Sequence, residues 1–189
     1  MERQEIDHKA LRQRYNPDGS KLRQDQMELL NMLLFVDDIC KRNNIKWWLI
    51  SGTLIGAARH NGFIPWDDDL DIAMLKSDYK RLKKILRNLD GKEYVLHDMG
   101  SDVDYVNVFG KFRKRNGAIH STSRRYNYYK WRGIGFDIFA VEKNSYLAAC
   151  IASVIYGNLQ HITSYIKWNW LRKPLIRLIE ILCLCIINP

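Results

Sequence analysis

Apolar residues recur at helical spacing between Gln24 and Asn44, at Met27, Leu30, Leu33, Leu34 and Val36, followed by Ile39 and Cys40. That period predicts one amphipathic helix, and Lys41, Arg42 and the Asn43-Asn44 pair mark its end. The pattern then shortens. Lys46 to Ser51 is a bulky run that stops at Gly52, as a buried strand would. Residues 52–66 are punctuated by Gly52, Gly56 and Gly62 and close on Pro65-Trp66, which predicts a loop around a short helix. From Asp69 the period becomes two. Leu70, Ile72 and Met74 fall on one face of a strand, with Asp69, Asp71 and Ala73 on the other. Ser77 is a candidate cap for a helix running to about Leu89, with Tyr79, Leu82, Ile85, Leu86 and Leu89 on its inner side and Asp90-Gly91 as its stop. Further strands are expected over 93–97, 104–113 and 134–141. These elements divide the chain into a charged arm over 1–23 with a turn at Asn16-Pro17-Asp18-Gly19, a core over 24–143, and a segment over 144–189.

That last segment changes character. Asn144 to Ile166 contains no Asp, Glu, Lys or Arg, and Leu175 to Ile187 is apolar except for Arg177 and Glu180. The first stretch carries Asn158, Gln160 and His161, and the second is short of the roughly 20 residues a membrane span needs. Helices packed on the core are the expectation, with attachment at a membrane interface as the alternative.

With 189 residues, 47% of them hydrophobic and 12% aromatic, the chain can bury a core, which excludes intrinsic disorder and a small disulfide scaffold. Four cysteines, with Cys183 and Cys185 adjacent in pattern, fit a reduced cytoplasmic chain, and the polar first residues disfavour a secretory signal. The formal charge of +9 attracts phosphate-bearing partners without choosing among them. Its distribution is more informative. Lys111 to Arg132 holds eight Lys/Arg, no acid, and interleaved aromatic residues, whereas the acids crowd into Asp67-Asp68-Asp69-Leu70-Asp71.

On a strand, Asp67, Asp69 and Asp71 would share a face. Neighbouring carboxylates repel unless a cation lies between them, and hard oxygen ligands of this kind select Mg²⁺ or Mn²⁺. A calcium loop is excluded: its sixth position would be Ile72 where a sharp turn needs Gly, and its twelfth is Asp78 instead of Glu. Upstream, a bulky strand ends in Ser51-Gly52-Thr53. Glycine lets backbone N–H groups approach a phosphate, and the Thr53 hydroxyl can add a hydrogen bond. A Gly-hydroxyl turn followed by Asp-x-Asp on a strand resembles the nucleotidyltransferase superfamily.

The whole block from Trp48 to Met74, Ser51-Gly52-Thr53-Leu54-Ile55-Gly56-Ala57-Ala58-Arg59-His60-Asn61-Gly62-Phe63-Ile64-Pro65-Trp66-Asp67-Asp68-Asp69-Leu70-Asp71 at its centre, closely resembles the signature of the LicD family, the phosphocholine transferases and their fukutin relatives. The resemblance resumes at Lys111-Phe112-Arg113 and at Gly135 to Phe139; Ala140 stands where the family usually has proline. The chain stops at Pro189, short for this family, so C-terminal substrate contacts are expected to be absent or supplied by another chain.

The resemblance implies an α/β (α+β) nucleotidyltransferase-like core, a mixed β-sheet flanked by helices with a helical C-terminal extension. It implies transfer of a phosphorylated alcohol from a CDP-linked donor such as CDP-choline to a sugar hydroxyl of a surface glycan or lipid-linked precursor. Asp69 and Asp71 match the family's metal pair and Asp137 its later acidic residue, with Mg²⁺ or Mn²⁺ as cofactor. Asp137, or secondarily Asp67, would take the hydroxyl proton or complete the metal shell. Gly52, Thr53, Arg59, Lys111 and Arg113 are the candidates for holding phosphate oxygens. His60 reads as a positioning residue, since no Cys/His spacing suggests zinc.

Two other classes compete. The basic aromatic stretch over 111–132 could serve a nucleic acid, but no RNA-binding module accompanies it, so no nucleic-acid partner is expected. Arg124 to Arg132 is assigned instead to the acceptor or to peripheral contact with the inner face of the cell membrane. An Asp-x-Asp glycosyltransferase using nucleotide sugars would leave Gly52-Thr53 unexplained.

Overall fold

The computed structural model describes residues 7–89, 93–105, 107–118 and 124–143, with a few separate positions between 150 and 178. The elements run α1 (His8–Tyr15), α2 (Lys21–Arg42), β1 (Trp48–Leu49), α3 (Ser51–His60), β2 (Asp71–Leu75), α4 (Lys76–Asn88), β3 (Tyr94–His97), β4 (Gly110–Lys114) and β5 (Gly135–Val141). The strands form one mixed sheet in the order β1-β2-β5-β4-β3, with β2 and β5 parallel and the other pairs antiparallel. This is the expected α+β class. The C-terminal segment expected to be helical lies mostly outside the described residues, and Ile176 within it is buried.

Pleating sorts the sheet into two chemically different faces. On one, Ile72, Met74, Leu96, Phe112, Phe136 and Ile138 are buried with Leu29, Met32, Leu33, Val36, Ile39 and Cys40 of α2 and Leu82 of α4. The inner side of α2 is therefore rotated from the expected stripe, with Leu29 and Met32 inside while Met27 and Leu34 are exposed. Burial, then Asp37 and Asp78, push the Cys40 thiol up to about 11, so it is a neutral packing group. Gly110 keeps this face flat: a Cβ there would lie 2.3 Å from the Tyr79 hydroxyl of α4.

Several expected boundaries move, each for a local reason. The run 46–51 is a two-residue edge strand with Trp48 exposed, because Ile50 already caps α3. The short helix expected within the glycine-punctuated stretch is α3, ten residues ending on left-handed Asn61, and its loop is 61–66. Gly56 breaks nothing there; it lets the helix touch the next segment, since a Cβ would meet the Gly62 carbonyl at 2.5 Å. α4 begins at Lys76 without a side-chain cap, leaving Ser77 inside the helix, and Leu89 is exposed. Only Gly110–Lys114 of the expected strand over 104–113 is extended. Its first part is turned back by Tyr105 N–H donating to the Asp102 carbonyl and Asp104 N–H to the Asp102 carboxylate. Within the charged arm, Asp7 caps α1 and Ser20 caps α2.

Candidate active site

The second face carries a polar row. Register pairs His97 with Lys111, Lys111 with Asp137, and Asp137 with Asp71, so four side chains from four strands project from the same face. Lys111 Nζ lies 2.8 Å from Asp137 Oδ1, and both side chains are largely buried. Asp71 starts β2, and Asp137 N–H donates to the Leu70 carbonyl at 2.9 Å, locking the two acidic strand ends together. Asp69 precedes the strand. Its carboxylate lies within 4.8 Å of those of Asp67 and Asp68.

Helix α3 is fastened to this row at its first turn. Thr53 Oγ1 accepts the Asp71 N–H at 2.8 Å, Ile50 N–H donates to the Asp71 carbonyl at 3.3 Å, and the Ser51 hydroxyl hydrogen-bonds the Asp71 carboxylate. No side chain caps α3. The leading N–H groups of its first turn therefore lack intrahelical partners, and the positive end of the helix meets the acidic residues. A Cβ on Gly52 would lie 2.8 Å from Asp67 Oδ2, so glycine admits the carboxylate against the helix start.

Charge is concentrated here. Burial raises the Asp71 carboxyl above the usual range and Asp69 adds to it, with the Ser51 hydrogen bond and Lys111 opposing. Asp69 is raised by partial burial and by Asp68 and Asp67, against Lys111. Asp137 is raised chiefly by burial, while the charge and hydrogen bond of Lys111 pull it down. Lys111 is thus the cation that all three carboxylates share. All the acidic donors are hard oxygens whose mutual repulsion a divalent cation would relieve, so the set fits Mg²⁺ or Mn²⁺.

Of the other sequence candidates, Gly52, Thr53 and Lys111 join Asp69, Asp71 and Asp137, while Arg59 and Arg113 stand apart. Arg59 is exposed in the last turn of α3. Arg113 is fully buried, donating to the Tyr126 hydroxyl at 2.8 Å and the Gly133 carbonyl at 3.1 Å. The Gly133–Gly135 ribbon lies directly on β4, where a Cβ at Gly135 would come within 2.4 Å of the Arg113 Cβ. His60 bonds His8 of α1, Nδ1 to Nδ1 at 3.0 Å, beside Trp66.

Three groups of residues emerge only in three dimensions. Gln26 of α2, buried, donates its amide to the carbonyls of Ile64 (3.2 Å) and Asp67 (2.8 Å) and accepts from buried Asn16 at 2.8 Å, so the arm and α2 hold the acidic loop. His97, at the head of the row, shares a 2.8 Å hydrogen bond with Asp102 and lies against Tyr105, Tyr129 and Trp131. Burial lowers the His97 pKa, with Asp102 acting the other way. Burial alone would raise Asp102, but hydrogen bonds from His97 and from the N–H groups of Lys130 and Asp104 bring it down. The buried Tyr105 hydroxyl lies within the field of Asp137.

Comparison with known proteins identifies the family. Residues 44–167, about two thirds of the chain, match the LicD/FKTN/FKRP nucleotidyltransferase domain. The chain belongs to that family. Within this LicD-family chain, a 60-residue stretch (32% of its length) is 50% identical to the lipopolysaccharide cholinephosphotransferase LicD of Haemophilus influenzae, covering 23% of that protein. A 70-residue stretch (37% of the chain) is 40% identical to an uncharacterized Rickettsia prowazekii protein, covering 26% of it. A 44-residue stretch (23% of the chain) is 39% identical to the human ribitol 5-phosphate transferase FKRP, covering 9% of it. The matched segments thus span about a quarter or less of these relatives. Among the described residues no helix is long and apolar enough to cross a membrane.

Proposed function

We propose that this LicD-family chain catalyses transfer of a phospho-alcohol group, phosphocholine-like, from a CDP-linked donor to a sugar hydroxyl of a surface glycan or its lipid-linked precursor. The observation that carries this reading is the register that seats Asp71 beside Asp137 with Lys111 on the next strand. CDP-choline is the first donor to test, because the 50% identical relative is named a cholinephosphotransferase. The reading puts the enzyme in the cytoplasm at the inner face of the membrane, where a lipid-linked acceptor is within reach.

Asp69 and Asp71 would hold Mg²⁺ or Mn²⁺. Bound there, the ion supplies charge neutralisation for a pyrophosphate and its leaving group. The N–H groups at the start of α3 and the Thr53 hydroxyl hold phosphate oxygens. Thr53 accepts from Asp71 N–H and so keeps its own proton to donate. Lys111 supplies a fixed cation at the floor of the site, where charge grows during displacement. The acceptor oxygen attacks the distal phosphorus in line, its new P–O bond forming as the bridging P–O bond to CMP breaks. Asp137, whose proton affinity is raised by burial, takes the hydroxyl proton.

The test is a panel of CDP-alcohols and UDP-sugars, each with Mg²⁺ and a glycan acceptor, read by nucleotide release. CMP released from a CDP-alcohol supports the reading. UDP released from a UDP-sugar, with CDP-alcohols left intact, assigns a glycosyltransferase instead.

A further inference from the structure

Helix α4 carries charge that the active site does not use. Lys80, Lys83, Lys84, Arg87 and Asn88 surround a concavity of about 330 Å³. The acid that meets this set is buried Asp98, 2.5 Å from Lys83 Nζ and 3.3 Å from Arg87 Nη2. Lys80 and Lys84 are exposed and make no ion pair among the described residues. Four cations therefore face one carboxylate, and that carboxylate fixes two of them in place. Gly100 keeps the space beside them clear: a Cβ there would lie 3.0 Å from Arg87 Nη2 and 3.4 Å from Lys83 Nζ.

The place in the fold is as informative as the charge. Asp98 follows His97 and, one residue on, turns to the opposite face to meet α4, so the groove lies on the α4 side of the sheet, just beyond the end of β3. Three strand spacings, about 14 Å, and the thickness of the sheet separate it from Asp71.

We propose that this groove is a second binding site that takes a phosphorylated sugar. A phosphate dianion matches the net excess of cations. The volume lies in the range of small-molecule pockets and leaves room beyond a phosphate group. Asn88 at the rim offers an amide to sugar hydroxyls. If the transferase reading holds, the ligand is a phosphorylated unit of the acceptor chain, gripped on the α4 side while a unit further along the chain passes round the β3 edge to the carboxylates. Only this last step rests on that reading.

Calorimetric titration of the whole protein with glucose 6-phosphate, inorganic phosphate and glucose tests the site without turnover. Glucose 6-phosphate binds, more tightly than inorganic phosphate, and glucose does not. Lys80→Gln with Lys84→Gln weakens glucose 6-phosphate about tenfold or more, while the double Arg variant retains it. CMP release from CDP-choline without acceptor is the same in the Gln variant as in the parent. Unchanged sugar-phosphate affinity in the Gln variant overturns the proposal, and equal affinity for inorganic phosphate overturns its sugar half. Absence of CMP release in the parent would count against the transferase and leave the binding result standing.

Discussion

The two faces of the sheet are built from the same strands and have opposite economies. Under α2 and α4, Ile72, Ile138, Phe112 and Leu82 are packed in one apolar cluster, so each contributes burial without an electrostatic cost. Across the pleat, one residue away, Asp71, Asp137 and Lys111 are drawn from water into contact with like and unlike charges. The first face holds the fold. The second costs it stability, and such a cost is sustained where charge is used in chemistry.

The largest effect expected from this contrast is at Asp71. Asp71→Asn should lower transfer from CDP-choline about a thousandfold, since the charge proposed to hold the cation is gone. The melting temperature without metal should hold or rise, because repulsion with Asp69 is relieved. A variant that loses stability yet turns over within tenfold of the parent would reverse the roles given to the two faces.

Leu82→Ala tests the opposite face. Leu82 is the fully buried residue of α4, and its truncation should cost about 2–5 kcal/mol in urea unfolding. Turnover per folded molecule should be preserved. Coupling between the faces would show as a fall in the activity of protein that remains folded.

Gln26 sits between the two, on an apolar helix with its amide reaching the acidic loop. Gln26→Leu leaves the Asp67 and Ile64 carbonyls and Asn16 short of a partner, about 1–3 kcal/mol of destabilisation. It should also shrink the rise in melting temperature expected from Mg²⁺ in the parent. Loss of stability with an undiminished Mg²⁺ response would make Gln26 a packing residue alone.

Local pattern made part of this arrangement readable in advance. Leu70, Ile72 and Met74 alternate with the acids within a few residues, so period two alone placed Asp71 on the face away from the core. The same rule applies to Asp137, which alternates with buried Phe136 and Ile138. What period cannot carry is partnership at a distance: Gln26 meets Asp67 across 41 positions, and Lys111 meets Asp137 through strand order. Arg113, a candidate for holding phosphate oxygens, is instead buried. Gly133 and Gly135, without side chains, let another segment close over its guanidinium. Gly52 and Gly56 lie inside the short helix expected within residues 52–66, where small size serves close approach.

His97 gives the smallest and most specific test of the divided sheet, because it belongs to the polar row and is as buried as the core. Burial lowers its pKa below the ordinary value near 6.5, so the folded protein resists a proton that the unfolded chain accepts. The stability attached to neutral His97 is complete above that ordinary value and drains away as pH falls through it toward the folded pKa. Its slope is at most about 1.4 kcal/mol per pH unit for one proton. Asp69, Asp71 and Asp137 are shifted upward and act with the opposite sign, so the wild-type curve alone is ambiguous. His97→Gln keeps a donor for Asp102 and cannot titrate. The difference between wild-type and variant urea stabilities, followed from pH 7.5 to pH 5, therefore isolates the imidazole. Wild type should lose ground to the variant as pH falls; parallel curves would mean that His97 stays neutral in neither state or in both, and that the row's edge is not desolvated as its burial implies.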